Sequence, residues 1–79
     1  VASATAKIQN IYKEFNMPVP AYVSNDLTVE KWSAQKLGKV PGVSEVIFAD
    51  GLKMESRKFR RNKLMEAMFH IDPPTGNTN

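Results

Sequence analysis

No cysteine occurs anywhere in this chain of 79 residues, so no disulfide supplements the core. A chain this short buries only about 60–65% of its extended surface, which leaves room for one small core and not two. Its single histidine, His70, falls short of the three or four soft ligands that a structural zinc site needs, and no metal or other cofactor is expected. Stability is therefore expected from well-packed elements, from a partner, or from both. At 42% hydrophobic and 24% charged residues the chain is too apolar to be disordered. No apolar run approaches the roughly 18 residues of a membrane-spanning helix, and no secretory signal opens the sequence. The reading is thus no membrane insertion and an intracellular location, with a cleaved organelle-targeting peptide as the alternative that a start at Val1 allows.

Prolines, glycines and polar caps punctuate the rest. Ser3 or Thr5 can cap a first helix to about Phe15, where Ile8, Ile11, Tyr12 and Phe15 recur at helical spacing. Asn16 suits the end of that helix, and Pro18 and Pro20 forbid its continuation. Ala21–Ser24 reads as a short strand and Asn25-Asp26 as a turn. Thr28 caps a second helix, with Glu30 in its first turn and Gly38 as its stop; Val29, Trp32 and Leu37 are its expected buried residues.

Asp50-Gly51 between apolar residues signals a hairpin that pairs Val46–Ala49 with Leu52–Met54, in preference to a short helix that uses Val43, Val46 and Ile47 and is ended by Gly51. Ser56 then caps a last helix to Phe69 or His70, with Leu64, Met68 and Ile71 as its apolar stripe, before Asp72-Pro73-Pro74 ends it. These elements predict one α+β domain over residues 1–72, mainly helical, with three helices and a short hairpin before the last. An all-α bundle is the alternative, and residues 73–79 form a polar tail.

The charge is segregated. Lys53, Arg57, Lys58, Arg60, Arg61 and Lys63 share one window with a single acid, Glu55, giving +5, whereas the whole chain carries only +3. On the expected last helix Arg57, Lys58, Arg60 and Arg61 occupy the first two turns, where the macrodipole disfavours them by about 0.3–1 kcal/mol each. Fold stability does not ask for them there, but phosphates or carboxylates outside the molecule do. The sequence therefore points to a non-catalytic nucleic-acid-binding module that contacts phosphates through those six residues, DNA ahead of RNA. The alternative is a small basic adaptor or linker subunit, held in a larger assembly against an acidic protein surface. Lys31, Lys36 and Lys39 are candidates to join the basic face; Glu45, Asp50, Glu55 and Glu66 are candidates to neutralise it.

No catalytic pattern competes. The glycines form no phosphate-binding loop, Asp26 and Glu30 are explained by helix capping, and His70 has no nucleophile or acid beside it in sequence. Trp32, Met54, Met65 and Met68 are assigned to the core.

Overall fold

A computed structural model describes residues 2–39, 42 and 45–72. In chain order the elements are β1 (Ala2–Ser3), α1 (Ile8–Glu14), α2 (Val29–Leu37), β2 (Val46–Ala49), β3 (Leu52–Arg60) and β4 (Lys63–Ile71). The strands form one antiparallel sheet in the order β1-β4-β3-β2. Ile8, Ile11, Tyr12, Val29 and Trp32 from the helical layer pack with Ile47, Leu52, Met54, Leu64, Ala67 and Phe69 of the sheet. Trp32 meets Phe69 with ring centroids 6.0 Å apart at an interplanar angle of 52°. The opposite face of the sheet carries Val46 and Phe48 beside Lys53, Glu55, Met68 and His70.

The second helix forms as its capping residues require. The Thr28 side chain accepts from the Lys31 amide at 3.3 Å, and Gly38 closes the helix in the left-handed region at φ 74°. Val29 and Trp32 are buried, and Leu37 only partly so. The first helix begins later than expected, at Ile8, with no side-chain cap. Ala2 and Ser3 instead pair with Ala67 and Glu66, and Lys7 bridges to Thr28, so tertiary pairing takes the residues that were expected to open the helix. Ala21–Ser24 forms no strand; it is part of a turn-rich connector closed by the Val23 amide on the Pro20 carbonyl.

The last helix does not exist, and this overturns the mainly helical fold and its all-α alternative. Leu52–Arg60 and Lys63–Ile71 are two long strands, so strand residues outnumber helical ones. The expected hairpin at Asp50-Gly51 is present, with φ 52° and 84°, but its second strand runs on through Arg60. A second two-residue turn, Arg61-Asn62, joins β3 to β4 with both residues left-handed at φ 56° and 63°. Met68 and Ile71, which the helical reading placed on its apolar stripe, lie half-buried and exposed respectively.

Two β-bulges shape this hairpin. The ladder runs Ser56↔Ala67, Lys58↔Glu66, Phe59↔Leu64, so Arg57 is an extra residue in β3 and Met65 one in β4. The two offsets cancel. Because of the bulge at Met65, Leu64 and Ala67 both turn inward although three residues apart, and Met65 is left exposed. The turn at Pro41-Gly42, the short-helix alternative from Val43 and the tail at 73–79 fall wholly or partly outside the described residues.

Candidate functional site

The β3–β4 hairpin is longer than the strands that flank it. Pairing with β2 ends at Val46↔Glu55 and pairing with β1 ends at Ser3↔Glu66. Beyond those points the Glu45 carbonyl takes the Ser56 amide at 2.9 Å, and the Met65 carbonyl takes the Ala4 amide at 2.8 Å. The rest of the hairpin, Arg57 to Lys63 and back to Met65, is a two-stranded arm. Its inner side is held by Leu64, which is buried, and Phe59, which is partly so. Every charged residue from Arg57 to Lys63 is exposed.

The arm gathers five of the six predicted site residues: Arg57 at its base, then Lys58, Arg60, Arg61 and Lys63. Lys53 stands apart on the open sheet face, 3.4 Å from Glu55 and 6.0 Å from the centre of the Phe48 ring. Arg57 reaches the same Glu55 carboxylate at 3.7 Å. Lys58, Arg60, Arg61 and Lys63 have no carboxylate within salt-bridge distance among the described residues, which include all eight acids of the chain. Lys36 and Lys39 are engaged elsewhere, Lys36 on Asp50 at 3.1 Å and Lys39 on Glu45 at 3.0 Å.

Arg57 has Glu55 beside it and Lys58 has Glu66 opposite it on the partner strand, but the hairpin itself does not call for the charge of Arg60, Arg61 and Lys63. Arg60 and Lys63 sit directly opposite each other, and like charges so placed oppose strand pairing. Arg61 holds a left-handed conformation that glycine, asparagine or aspartate adopts at lower cost. Two shallow, open depressions, of about 420 and 320 Å³, flank the tip. Arg60, Arg61, Lys63 and Met65 line the first; Ser3, Lys58, Arg60, Met65 and Glu66 line the second. Sequence reasoning put Met65 in the core. The adjacent apolar pair Leu64-Met65, which breaks strand alternation, was the available signal that one of the two must face out.

At the other end of β3 lies a polar lock, also unread from sequence. The Tyr22 hydroxyl bonds Asp50 Oδ2 and accepts from Trp32 Nε1 at 3.1 Å, while Lys36 Nζ lies 4.3 Å from the Tyr22 ring centre. The Tyr22 hydroxyl, and after it Lys36, holds the Asp50 carboxyl below the usual range; the same hydroxyl and Asp50 raise Lys36. Beneath them the Tyr12 hydroxyl is buried, with no hydrogen-bond partner among the described residues, and burial foremost pushes its pKa up. The lock ties the connector to α2 and to the β2–β3 turn. His70 is an exposed strand residue opposite Lys53. Among the described residues no group of three or more His, Asp or Glu is placed to hold a metal ion, and no helix is long and apolar enough to cross a membrane.

No protein-family model and no curated protein matches the sequence. Solved structures do match. A CorC_HlyC domain from Haemophilus ducreyi superposes with a TM-score of 0.74 at 14% identity, covering 92% of this chain and 95% of that one. The chain shares the CorC_HlyC fold. A region associated with a putative Mg2+ and Co2+ transporter, CorC, from Neisseria meningitidis gives a TM-score of 0.72 at 20% identity, over 89% of this chain and 84% of the other. The CorC_HlyC likeness and the missing helix together overturn the nucleic-acid-binding module. That reading rested on cations misplaced on a helix N-terminus, and those cations lie on strands and a turn of a fold that matches a CorC_HlyC domain and a transporter-associated region.

Proposed function

We propose that this chain is a non-catalytic accessory module of the CorC_HlyC kind, which regulates a cation-transport protein by docking on an acidic protein surface through its hairpin arm. The observation that carries the docking is the arm's four exposed cations with no salt-bridge partner among the described residues. Guanidinium forks suit carboxylates, and the paired strands of the arm present them together. The likeness to a transporter-associated region over most of both chains supports the setting. The lock at the far end supports a body that stays fixed while the arm engages.

The test is made in the cells that produce the protein. Deleting residues 2–72 from the encoded protein is expected to alter Mg2+ flux and tolerance to Co2+, and Arg60→Glu with Arg61→Glu is expected to reproduce that change at undiminished protein level. Wild-type cation handling in both strains would sink the reading.

A further inference from the structure

We infer that the arm is a cradle for an acidic peptide carrying one apolar residue, with Met65 as the apolar contact. The inference rests on the docking reading above and adds the chemistry of what docks. The two depressions at the tip share Arg60 and Met65, so they adjoin across the Met65 side chain. Their volumes fall at the small end of the range for ligand clefts, enough for a few residues of a peptide.

The charge is uneven across them. Three cations and no acid line the first, whereas Lys58 and Arg60 share the second with the Glu66 carboxylate. A peptide therefore lays its carboxylates toward Arg60, Arg61 and Lys63 and its apolar side chain across Met65. Glu66 repels a further carboxylate at that end and, with Ser3, accepts or donates to the peptide's polar groups. Met65 is exposed because the bulge turns it out, although it neighbours the buried Leu64. A flexible thioether between guanidinium groups fits an aliphatic side chain of varied shape. A free inorganic anion would need the cations but not the methionine.

Two synthetic peptides separate these contributions, acetyl-Glu-Asp-Glu-Leu-Glu-Asp-Glu-amide and the same peptide with serine for leucine. Titration of the whole chain, followed by calorimetry and the Met65 methyl resonance, is expected to show the leucine peptide binding about tenfold tighter, as partial burial of one leucine implies. Met65→Gln, an exposed change, should erase that preference while leaving the Met54 methyl signal unmoved. Arg60→Glu with Arg61→Glu should abolish binding of both peptides. Equal binding of the two peptides to the unmodified chain overturns the cradle but leaves charge-driven docking in place. No binding of either at about 50 mM salt overturns both, since attraction between exposed charges is strongest at low ionic strength. Tighter binding to phosphatidylcholine–phosphatidylserine vesicles, uncompeted by the leucine peptide, would assign the arm to lipid and overturn the inference.

Discussion

Asp50 does two things with one side chain. As the first residue of the β2–β3 turn it adopts φ 52°, which aspartate tolerates, and its carboxylate closes the lock with Tyr22 and Lys36. Its pKa is lower folded than unfolded, so its contribution is complete above the unfolded value of about 4 and fades as pH falls through the folded one. Asp50→Asn should cost about 1 kcal/mol at pH 7, allowing for partial solvent screening, and lower Tm by roughly 4–8 °C. Urea midpoints measured from neutral pH down to about pH 2 should show the gap between wild type and variant narrowing in acid. Tyr12 offers the opposite case. Its hydroxyl is buried with no hydrogen-bond partner among the described residues, so Tyr12→Phe should raise stability by up to about 1 kcal/mol, and a lower Tm on scanning calorimetry would contradict that account.

Among the elements, those fixed by local chemistry were legible and those fixed by distant pairing were not. Thr28 and Gly38 bound α2, and Asp50-Gly51 makes its hairpin, because the cap and the turn each use residues close in sequence. The second hairpin hides its nature. From Leu52 to His70 there is no valine, isoleucine or threonine, and its lysines, arginines, glutamates, leucines and methionines are good helix formers. Strand pairing to β1 and β2 and burial of Leu52, Met54, Leu64, Ala67 and Phe69 override that preference. The two bulges break the alternation that would have shown it, and the turn lacks a glycine. The cluster of cations was therefore visible in sequence, but its setting was not. Replacing the turn by Asn-Gly, through Arg61→Asn and Asn62→Gly, should stabilise the domain by roughly 1 kcal/mol because those residues adopt positive φ readily. Denaturant midpoints would check it, and the same change should weaken binding of acidic peptides by removing one guanidinium.

At the scale of the molecule, the body and the arm answer to different demands. The body is locked at the β2–β3 turn and packed around Trp32, whereas the tip of the arm carries charge at Arg60, Arg61 and Lys63 that its own strands do not need. Arg60→Glu converts the like-charged pair with Lys63 into an opposite one and should raise stability by about 0.2–1 kcal/mol while peptide binding falls. Parallel melts and titrations would reveal that divergence, and a variant that lost both would contradict the division. The cancelling offsets at Arg57 and Met65 carry this separation further. Since the strands regain their phase by Phe59↔Leu64, everything distal to that pair is an exchangeable cassette. Another two-residue hairpin tip of matching parity could be grafted there, redirecting the domain to a new target without a single alteration to its interior.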